Sequence, residues 1–551
     1  MSLSRRSLLI AASLAATPRP AWAQNLSAGA FTHGVASGDP LADGVMLWTR
    51  FVHANDGRIA WEVAADDTFA APVARGEAVA APHHDFCAKI DVRGLAPGRR
   101  YFYRFLSASG PSPTGRTLTA PATDGEALTI ALFSCSNLPF GYFHAYGDAA
   151  ERDDIDLALH VGDYLYELPR GAYPSAEEAV PGREIEPAGE TLSLQDYYQR
   201  YAAYHRDPDL LELRRLKPMA AIWDDHEIAD NAWSGGALGH NRNDGDYPTR
   251  AAAAMKAYFD WMPIRAGAGA AVTRTLDWGG LARILLLDTR LAGRTAQLAY
   301  NAALVRRLMA SGAGGEEARR AFEAQLNNPA RSILGATQEQ WLAQALAHSK
   351  AAGQTWQIIA QPLVTGDQHA NADMLALLPE RGSSNARRYF VAGVTLSGLG
   401  LPWNLDAWAG YPGARARLLQ ACADHANNAL VLGGDSHNCW VNTLAAPNDP
   451  ARVAAIEFAG GSVTSPGFER SLSNAAPGER ERRMRSANPQ LAFCDLTHRG
   501  YALLRLTRAA CEAEWRAFAD VRNPQRGDAM VTRISAAASA AGGPGAWSVQ
   551  A

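Results

Sequence analysis

Thiol, phenol, imidazole and carboxylate side chains stand directly after four apolar segments of this sequence. They are Cys135 in ALFSCSN, Asp163 and Tyr166 in HVGDYLYE, Asp224, Asp225, His226 and Asn231 in AIWDDHEIADN, and Asp435 and His437 in LVLGGDSHN. Ligands in α/β proteins gather beyond the carboxyl ends of strands, so we expect the four segments to meet there. So many acids and a thiol in one place make a strongly negative pocket, and such a pocket needs a cation.

The mixture of ligand types indicates two different metal ions. Thiolate and phenolate are strong electron donors that suit a ferric ion, whereas carboxylate oxygens suit hard ions such as calcium or manganese. A structural zinc site normally shows Cys-x-x-Cys spacing, which none of the six cysteines has. We predict one metal held by Cys135, Tyr166 and His437, a second, oxygen-rich metal held by Asp225 and Asp435, and Asp163 as the bridge between them.

Each segment also has a purely structural interpretation. A lone cysteine is more often a buried apolar side chain than a ligand. Gly-Asp at a strand end is commonly a turn, and Asp-Asp-His-Glu is compatible with a helix N-cap. Asp435-Ser436-His437 alone would most often be a satisfied turn. The occurrence of all four segments after apolar strands favours the metal site over these interpretations.

The elements that must position these side chains fall into two parts. Short β-branched and aromatic stretches broken by Gly, Pro and Asp predict a small all-β sandwich domain, residues 24–121. After a linker, apolar strands alternate with helical stretches and predict an α/β (α+β) catalytic domain, residues 122–535. The end of the chain is rich in Gly, Ala and Ser, and we predict a flexible tail, residues 536–551.

The first 23 residues have the features of an export signal. Arg5 and Arg6 precede a short apolar stretch, and Ala21-Trp22-Ala23 is a small-x-small cleavage site, which predicts a twin-arginine signal peptide. We therefore expect export by the twin-arginine machinery and a periplasmic or secreted protein. No stretch is long enough to cross a bilayer, so we expect no transmembrane anchor. The net charge of −4 and the lack of a basic stripe disfavour specific binding of nucleic acid.

The order of the motifs resembles that of the metallo-dependent phosphatase superfamily. Gly-Asp-x-x-Tyr begins at Gly162, Asp-Asp-His-Glu at Asp224, and Gly-Asp-Ser-His at Gly434. Together with Cys135 in the opening motif, these variants are similar to one branch, the PhoD-type alkaline phosphatases and phosphodiesterases. Residues 31–50 also resemble the start of that family's N-terminal β-domain, and the resemblance covers nearly the whole chain.

The resemblance implies a metallophosphatase-like β-sandwich core flanked by helices, with a fibronectin- or immunoglobulin-like N-terminal domain. It implies an exported enzyme that hydrolyses phosphate esters at alkaline pH with a ferric ion and one or more calcium ions, another divalent metal being an alternative at the second position. The implied ligands are Cys135, Asp163, Tyr166, Asp225, Asp435 and His437, with Asn231 competing with Asp225. The superfamily's Val-x-x-His ligand has no clear counterpart, and Gln361 is the nearest candidate.

The predicted function is hydrolysis of phosphomonoesters, phosphodiesters or both, with a small phosphate ester as substrate. The resemblance places His226 next to the phosphate, where it would protonate the leaving oxygen or hold the phosphate. A phospholipase D-like phosphodiesterase is one alternative. A cell-surface polymer-binding protein with a structural metal site is an alternative of another class. The oligomeric state stays open, with a monomer favoured.

Two features of the predicted pocket are left open by the sequence. Three aromatic residues, Trp403, Trp408 and Tyr411, either line its mouth or pack a loop, and we favour packing. A basic side chain that contacts the phosphate is expected, but the arginines are too many to choose among.

Overall fold

The computed structural model describes residues 25–123, 125–267, 271–379, 384–539 and 543–550. The predicted signal peptide, residues 1–23, lies outside these ranges. Within them, no helix has both the length and the apolar character needed to span a bilayer. All six cysteines are described, and each is a buried free thiol.

The N-terminal part of the chain is built from short strands. In chain order they are β1 (Gly29–Leu41), β2 (Gly44–His53), β3 (Arg58–Ala64), β4 (Ala74–Val79), β5 (Cys87–Arg93), β6 (Arg100–Ser107), β7 (Gly110–Pro111) and β8 (Gly115–Leu118). One sheet contains β3, β4, β6, β7 and β8, and the layer facing it contains β1, β2 and β5. Alternate side chains of the two layers, among them Val45, Ile59 and Tyr103, meet in one apolar core.

The rest of the chain alternates strands with helices. The strands are β9 (Ala127–Phe133), β10 (Leu157–His160), β11 (Met219–Ala221), β12 (Ala232–Trp233), β13 (Gly236–Ala237), β14 (Arg274–Trp278), β15 (Ala282–Leu286), β16 (Trp356–Ala360), β17 (Ala429–Gly433), β18 (Cys439–Ala446), β19 (Asp449–Gly460), β20 (Leu491–Asp495), β21 (Arg499–Thr507), β22 (Ala510–Phe518), β23 (Met530–Ala537) and β24 (Ser548–Gln550). The helices are α1 (His144–Glu151), α2 (Leu194–Tyr204), α3 (Pro208–Leu216), α4 (Tyr247–Trp261), α5 (Ala302–Met309), α6 (Ala313–Leu326), α7 (Gly335–Ala351), α8 (Ser384–Gly398), α9 (Pro412–His425) and α10 (Glu479–Ala487). Local sequence explains several helix starts, since Ser193 and Asp196 form a capping box before α2 and Asp207 caps α3.

Two large sheets pack face to face. One has the strand order β24-β23-β22-β21-β9-β10-β11-β1-β2-β5, and the other has the order β14-β15-β16-β17-β19-β18-β20. Leu132 of β9, Ile358 of β16 and Leu430 of β17 lie in the core between the sheets. The alternate residues Ile359 and Val431 pack on the other side against α7 and α9. Burial on both faces explains why these strands are continuous apolar runs, and the result is the expected layered core flanked by helices.

Strand β1 joins the N-terminal layer to the larger sheet. It pairs antiparallel with β2 on one side and parallel with β11 on the other, where Gly38 lies opposite Met219. A side chain at Gly38 would not fit, since an added Cβ would lie 2.4 Å from the Met219 carbonyl oxygen. The N-terminal sandwich therefore shares one of its two layers with the catalytic part, which the sequence did not indicate.

The predicted flexible tail, residues 536–551, is partly strand. β23 extends to Ala537, and β24 pairs with it antiparallel, with Arg533 opposite Gln550. The prediction was wrong for these residues because it relied on composition. Strand pairing uses backbone N–H and C=O groups, which Ser and Ala provide as well as apolar residues do.

Candidate metal centre

Four loops meet at the carboxyl ends of neighbouring strands. The loops of Cys135, Asp163 and Asp224 follow β9, β10 and β11, which are adjacent and parallel. The loop that carries Asp435 and His437 follows β17 in the facing sheet. The side chains that the sequence singled out are therefore brought together from both sheets.

Several of these residues adopt a left-handed backbone conformation, which is uncommon for residues other than glycine. The φ angle is 58° at Cys135, 54° at Asp163, 53° at Asn231, 59° at Asp435 and 60° at His437. Such strained conformations persist where the surrounding structure fixes them, and they cluster at functional sites. The strain here falls on Cys135, Asp163 and His437, whose side chains lie together, as well as on Asp435 and Asn231.

The sulfur, phenol and imidazole groups form one end of the centre. The ligand atoms of Cys135, Asp163 and His437 all lie within 4.8 Å of one another. The Tyr166 hydroxyl is 3.1 Å from Asp163 Oδ2 and 3.2 Å from His437 Nε2. His437 Nδ1 donates to the Pro466 carbonyl oxygen at 3.0 Å, which leaves Nε2 to face the site. The four residues predicted at the first metal are thus adjacent.

Carboxylates form the other end. Asp163, Asp225 and His226 make one group, and Asp224, Asp225 and Asp435 make another, each with its ligand atoms within 4.8 Å of one another. Asp163 belongs both to this end and to the thiol end, which is the position that a bridging ligand requires. The Asn231 backbone N–H donates to Asp225 Oδ2 at 2.6 Å and orients that carboxylate.

The centre contains buried oxygen atoms without hydrogen-bond partners among the described residues, as a cation-binding site would. Asp163 Oδ1, Asp224 Oδ2 and Asp225 Oδ1 are buried and accept no hydrogen bond from any residue that the structure describes. Such oxygens are costly to leave unpaired. Burial also raises the pKa of Cys135 and Tyr166, and the Asp163 carboxylate raises both further. Positive charge would displace these protons, so the residues fit metal ions.

Glu167 fixes the orientation of His226. Glu167 Oε2 lies 2.7 Å from His226 Nδ1, and its other oxygen accepts the Asp230 backbone N–H at 2.6 Å. Burial lowers the pKa of His226, but the carboxylates of Glu167, Asp225 and Asp163 outweigh it and hold the pKa well above its usual value. The sequence analysis assigned no role to Glu167. The sequence feature that could have indicated a role for Glu167 is its position directly after Tyr166 in the second motif.

Glu227 braces two of the loops through their backbones. Its carboxylate accepts the N–H groups of Asp163 at 3.1 Å, Tyr164 at 2.6 Å and Asp224 at 2.8 Å. The segment containing it is a turn, so the helix N-cap interpretation of Asp-Asp-His-Glu does not hold. Glu227 therefore holds the backbone of the Asp163 loop close to that of Asp224.

Arg290 is a basic residue beside these carboxylates that the sequence analysis did not single out. It is fully buried after β15, and Nε contacts Asp224 Oδ1 at 2.5 Å while Nη1 contacts Asp406 Oδ2 at 2.9 Å. Its Nη2 atom is 3.4 Å from Asp225 Oδ1 and 3.7 Å from Asp435 Oδ1. Burial raises the pKa of Asp225, but Arg290 and His226 outweigh it, so that the pKa of Asp225 is lowered. One sequence feature could have indicated that Arg290 lies at this site: like the predicted ligands, it follows an apolar strand.

Other candidates from the sequence take packing roles. Gln361 Oε1 accepts from the Leu363 N–H at 2.9 Å and from Trp408 Nε1 at 3.0 Å, so its amide oxygen is already used within the loop. Trp403, Trp408 and Tyr411 are all buried. Tyr411 stacks under the guanidinium groups of two arginines, Arg294 and Arg331. The packing interpretation of these aromatic residues therefore holds.

Comparison with known proteins agrees with this geometry. The model of the PhoD-like phosphatase family matches residues 130–515, and the model of the PhoD-like phosphatase N-terminal domain matches residues 15–121. The chain belongs to the PhoD-like phosphatase family. This PhoD-like phosphatase is 31% identical over 533 residues to alkaline phosphatase D of Bacillus subtilis (strain 168), an alignment that covers 93% of this chain and 81% of that protein.

A solved structure of PhoD is similar over almost the whole fold. The TM-score is 0.74 at 27% identity, and the match covers 97% of this chain and 94% of the other. The mixed α/β fold class and the relationship to PhoD-type phosphatases, both predicted from the motifs, are confirmed. As a PhoD-like phosphatase, the chain is a phosphoric ester hydrolase.

Proposed function

We propose that this PhoD-like phosphatase is an exported enzyme that hydrolyses phosphomonoesters, phosphodiesters or both at a centre of one ferric ion and one or more calcium ions. The observation that carries the proposal is the meeting of Cys135, Tyr166 and His437 with Asp163, which has one unpaired oxygen and also groups with Asp225 and His226. A buried thiol beside a phenol and an imidazole is a donor set for ferric iron rather than for calcium.

Each cation has its own set of residues. Cys135, Tyr166 and His437 would hold iron, and Asp163 would bridge to the second position. Asp225 and Asp435 would hold calcium or another divalent ion there, with Asn231 as an alternative oxygen donor. When bound, the two cations would neutralise the phosphate oxygens and make the attacking water more acidic.

His226 supplies the proton in the proposed reaction. Glu167 binds Nδ1, so Nε2 is the nitrogen left for the substrate. Burial opposes protonation of the imidazole, and the Glu167 carboxylate at Nδ1 favours it by raising the pKa of His226. As the bond between phosphorus and the leaving oxygen breaks, Nε2 gives its proton to that oxygen, which departs as an alcohol. If His226 instead only held the phosphate, removing it would slow the hydrolysis of esters of weakly acidic and strongly acidic alcohols equally.

The export signal completes the proposal. Residues 1–23 predict passage through the twin-arginine machinery, and a periplasmic or secreted location follows from them. Expression in a strain lacking that machinery, compared with its parent, would leave the full-length chain in the cytoplasm. Export by both strains alike would contradict this part of the proposal.

One experiment tests the enzymatic part. Iron and calcium are measured in the protein as isolated, and the same sample is assayed with p-nitrophenyl phosphate and bis(p-nitrophenyl) phosphate. Iron, calcium and hydrolysis of either ester are expected. Preference for the diester alone would favour the phospholipase D-like alternative. Metal without any hydrolysis would favour the polymer-binding alternative and refute the enzymatic proposal.

A further inference from the structure

The phenol oxygen of Tyr166 contacts three side chains that differ in what they can offer it. Asp163 Oδ2, at 3.1 Å, is an acceptor. His437 Nε2, at 3.2 Å, carries no proton in the neutral imidazole, because Nδ1 donates to the Pro466 carbonyl. The third is Ser465, whose Oγ donates to the phenol oxygen at 2.7 Å. Among the residues that the structure describes, Ser465 is thus the one hydrogen-bond donor to this oxygen.

Backbone contacts on both sides fix Ser465 in place. It is 0% exposed and belongs to residues 461–466, which follow β19 and run beside the Cys135 loop. The Ser465 N–H donates to the Cys135 carbonyl at 3.3 Å, and the Ser465 carbonyl accepts from Arg499 Nη1 at 2.9 Å. The serine hydroxyl is therefore directed at Tyr166 by a backbone that has little freedom to move.

We propose that Ser465 is a positioning residue that limits the charge which the Tyr166 phenolate gives to iron. The inference rests on the proposed function, because it concerns a donor of the iron site. A hydrogen bond to an anionic oxygen is strong and draws electron density towards the hydrogen. Hydrogen bonds to ligand atoms are one way in which proteins set the properties of a bound metal. With less charge from Tyr166, the iron stays more positive and polarises a phosphate oxygen more strongly.

Thr464 provides a matched control. It lies in the same segment, is 2% exposed, and its Oγ1 donates to the Asn137 carbonyl at 2.8 Å. That acceptor is a backbone oxygen and not the side chain of a predicted ligand. Thr464→Val therefore removes a buried hydroxyl and its hydrogen bond while the contacts of the Tyr166 oxygen remain.

The test follows the iron itself as well as the activity. Full-length mature wild type, Ser465→Ala, Ser465→Thr and Thr464→Val are loaded with iron and calcium, with thermal unfolding as the check on folding. Visible absorbance, resonance Raman spectra and the midpoint potential of the iron are then measured. In Ser465→Ala we expect the charge-transfer maximum to move to longer wavelength and the potential to fall, because a phenolate without a hydrogen bond is a stronger donor. A change in the phenolate C–O vibration would identify Tyr166 as the source.

The other two variants are expected to keep the wild-type maximum and potential. Ser465→Thr retains a hydroxyl at the same position, and Thr464→Val leaves Ser465 intact. With p-nitrophenyl phosphate, kcat of Ser465→Ala is expected to fall by about tenfold, because groups that bind metal ligands typically contribute about 10–100-fold.

A measurement on wild type needs no variant and decides the question if Ser465→Ala does not fold. Metal-free protein is equilibrated in D₂O and loaded there with iron, so that the Ser465 hydroxyl carries deuterium. The phenolate C–O vibration is expected to differ from that of protein loaded in H₂O. Identical vibrations in the two solvents would overturn the inference.

Three results with the variants would also overturn it. They are identical spectra and potentials in Ser465→Ala and wild type, an equal shift in Thr464→Val, and loss of iron from Ser465→Ala. The last result would mean that Ser465 holds the site together instead of adjusting it. A coloured, active wild type combined with any of these results refutes this inference alone. Wild type that binds no iron refutes the proposed iron centre instead.

Discussion

The imidazole of His226 and the carboxylate of Glu167 form a buried pair, with Nδ1 and Oε2 2.7 Å apart. Glu167 is itself fixed, because its second oxygen accepts the Asp230 backbone N–H. The pair joins the second motif of the sequence to the third. In the proposed reaction it also determines which nitrogen of His226 faces the substrate and gives up its proton.

His226→Gln is expected to affect esters according to their leaving group. A general acid contributes about 10²–10⁴-fold when the departing alcohol is weakly acidic and little when it leaves readily. We therefore expect a loss of at least about 10²-fold in kcat with an alkyl phosphate and a far smaller loss with p-nitrophenyl phosphate. Equal losses on both substrates, measured at saturating concentration, would show that His226 holds the phosphate instead.

Glu167→Gln is expected to weaken the same step without removing it. The amide no longer raises the pKa of His226, and partners that orient a functional imidazole typically contribute about 10–100-fold. We expect kcat with an alkyl phosphate to fall by about tenfold or more, with iron content unchanged. Glu186→Gln, an exposed change in a neighbouring loop, is the control and should match wild type. A Glu167→Gln enzyme with wild-type kcat would contradict this assignment.

Cys135→Ala is expected to remove both iron and colour. Thiolate and phenolate bound to ferric iron give visible charge-transfer absorbance, and loss of the sulfur weakens the iron site. We expect little visible absorbance, little iron by elemental analysis and loss of most activity. Cys422→Ala, another buried thiol located in α9, should keep all three. A colourless wild type, active after iron is chelated, would refute the iron assignment.

Calcium is expected to leave the centre more readily than iron. The side chain of Asp435 is 19% exposed, whereas Cys135 is 0% and Asp163 2% exposed. Treatment with a calcium-selective chelator should abolish activity while the absorbance remains, and added calcium should restore the activity. The assignment of two different ions fails if the chelator removes colour and activity together.

The pair of Asp495 and His498 predicts a pH dependence of stability away from the metal centre. The hydrogen bond with Asp495 raises the pKa of His498, so its contribution is complete below the ordinary value of 6.5 and is lost as the pH rises through the raised pKa. Burial opposes ionisation of Asp495, but the bond with His498 and that from Trp515 lower its pKa. The contribution of Asp495 is present above 3.8 and is lost as the pH falls through the lowered pKa.

His498→Gln should therefore destabilise the protein more at about pH 5.5 than at about pH 9. Chemical unfolding at both pH values measures the difference. His84→Gln is the control, because it removes a partly exposed histidine of the N-terminal part that is paired with Asp260 of α4. An identical loss at both pH values would mean that the charged form of His498 contributes nothing.

The sequence was sufficient to predict the strands and the residues at their ends. Leu132, Ile358 and Leu430 lie in uninterrupted apolar runs because their strands are buried on both faces, and such runs are visible without a structure. The convergence of Cys135, Asp163 and Asp224 then follows from where neighbouring parallel strands end. This is a rule about sheets in general, so it needed no knowledge of side-chain contacts.

The partners of these residues were harder to predict. Arg290 reaches Asp224 across 66 positions and Asp406 across 116. One arginine among many carries no local pattern that marks it for such contacts. Glu227 accepts backbone N–H groups from the Asp163 loop and from its own loop, and backbone donors leave no trace in residue type. The strand at the chain end was missed for the same reason.

The pairing of β1 with β11, where Gly38 lies opposite Met219, limits how this enzyme can be shortened or recombined. A fragment that begins after the N-terminal region would lose three strands, β1, β2 and β5, from one end of its largest sheet and uncover the edge of β11. Open edges of this kind invite pairing with other chains. The region that looks like a separable module is thus a structural part of the catalytic scaffold, and exchanging it for a foreign module would require an equivalent strand in the same register.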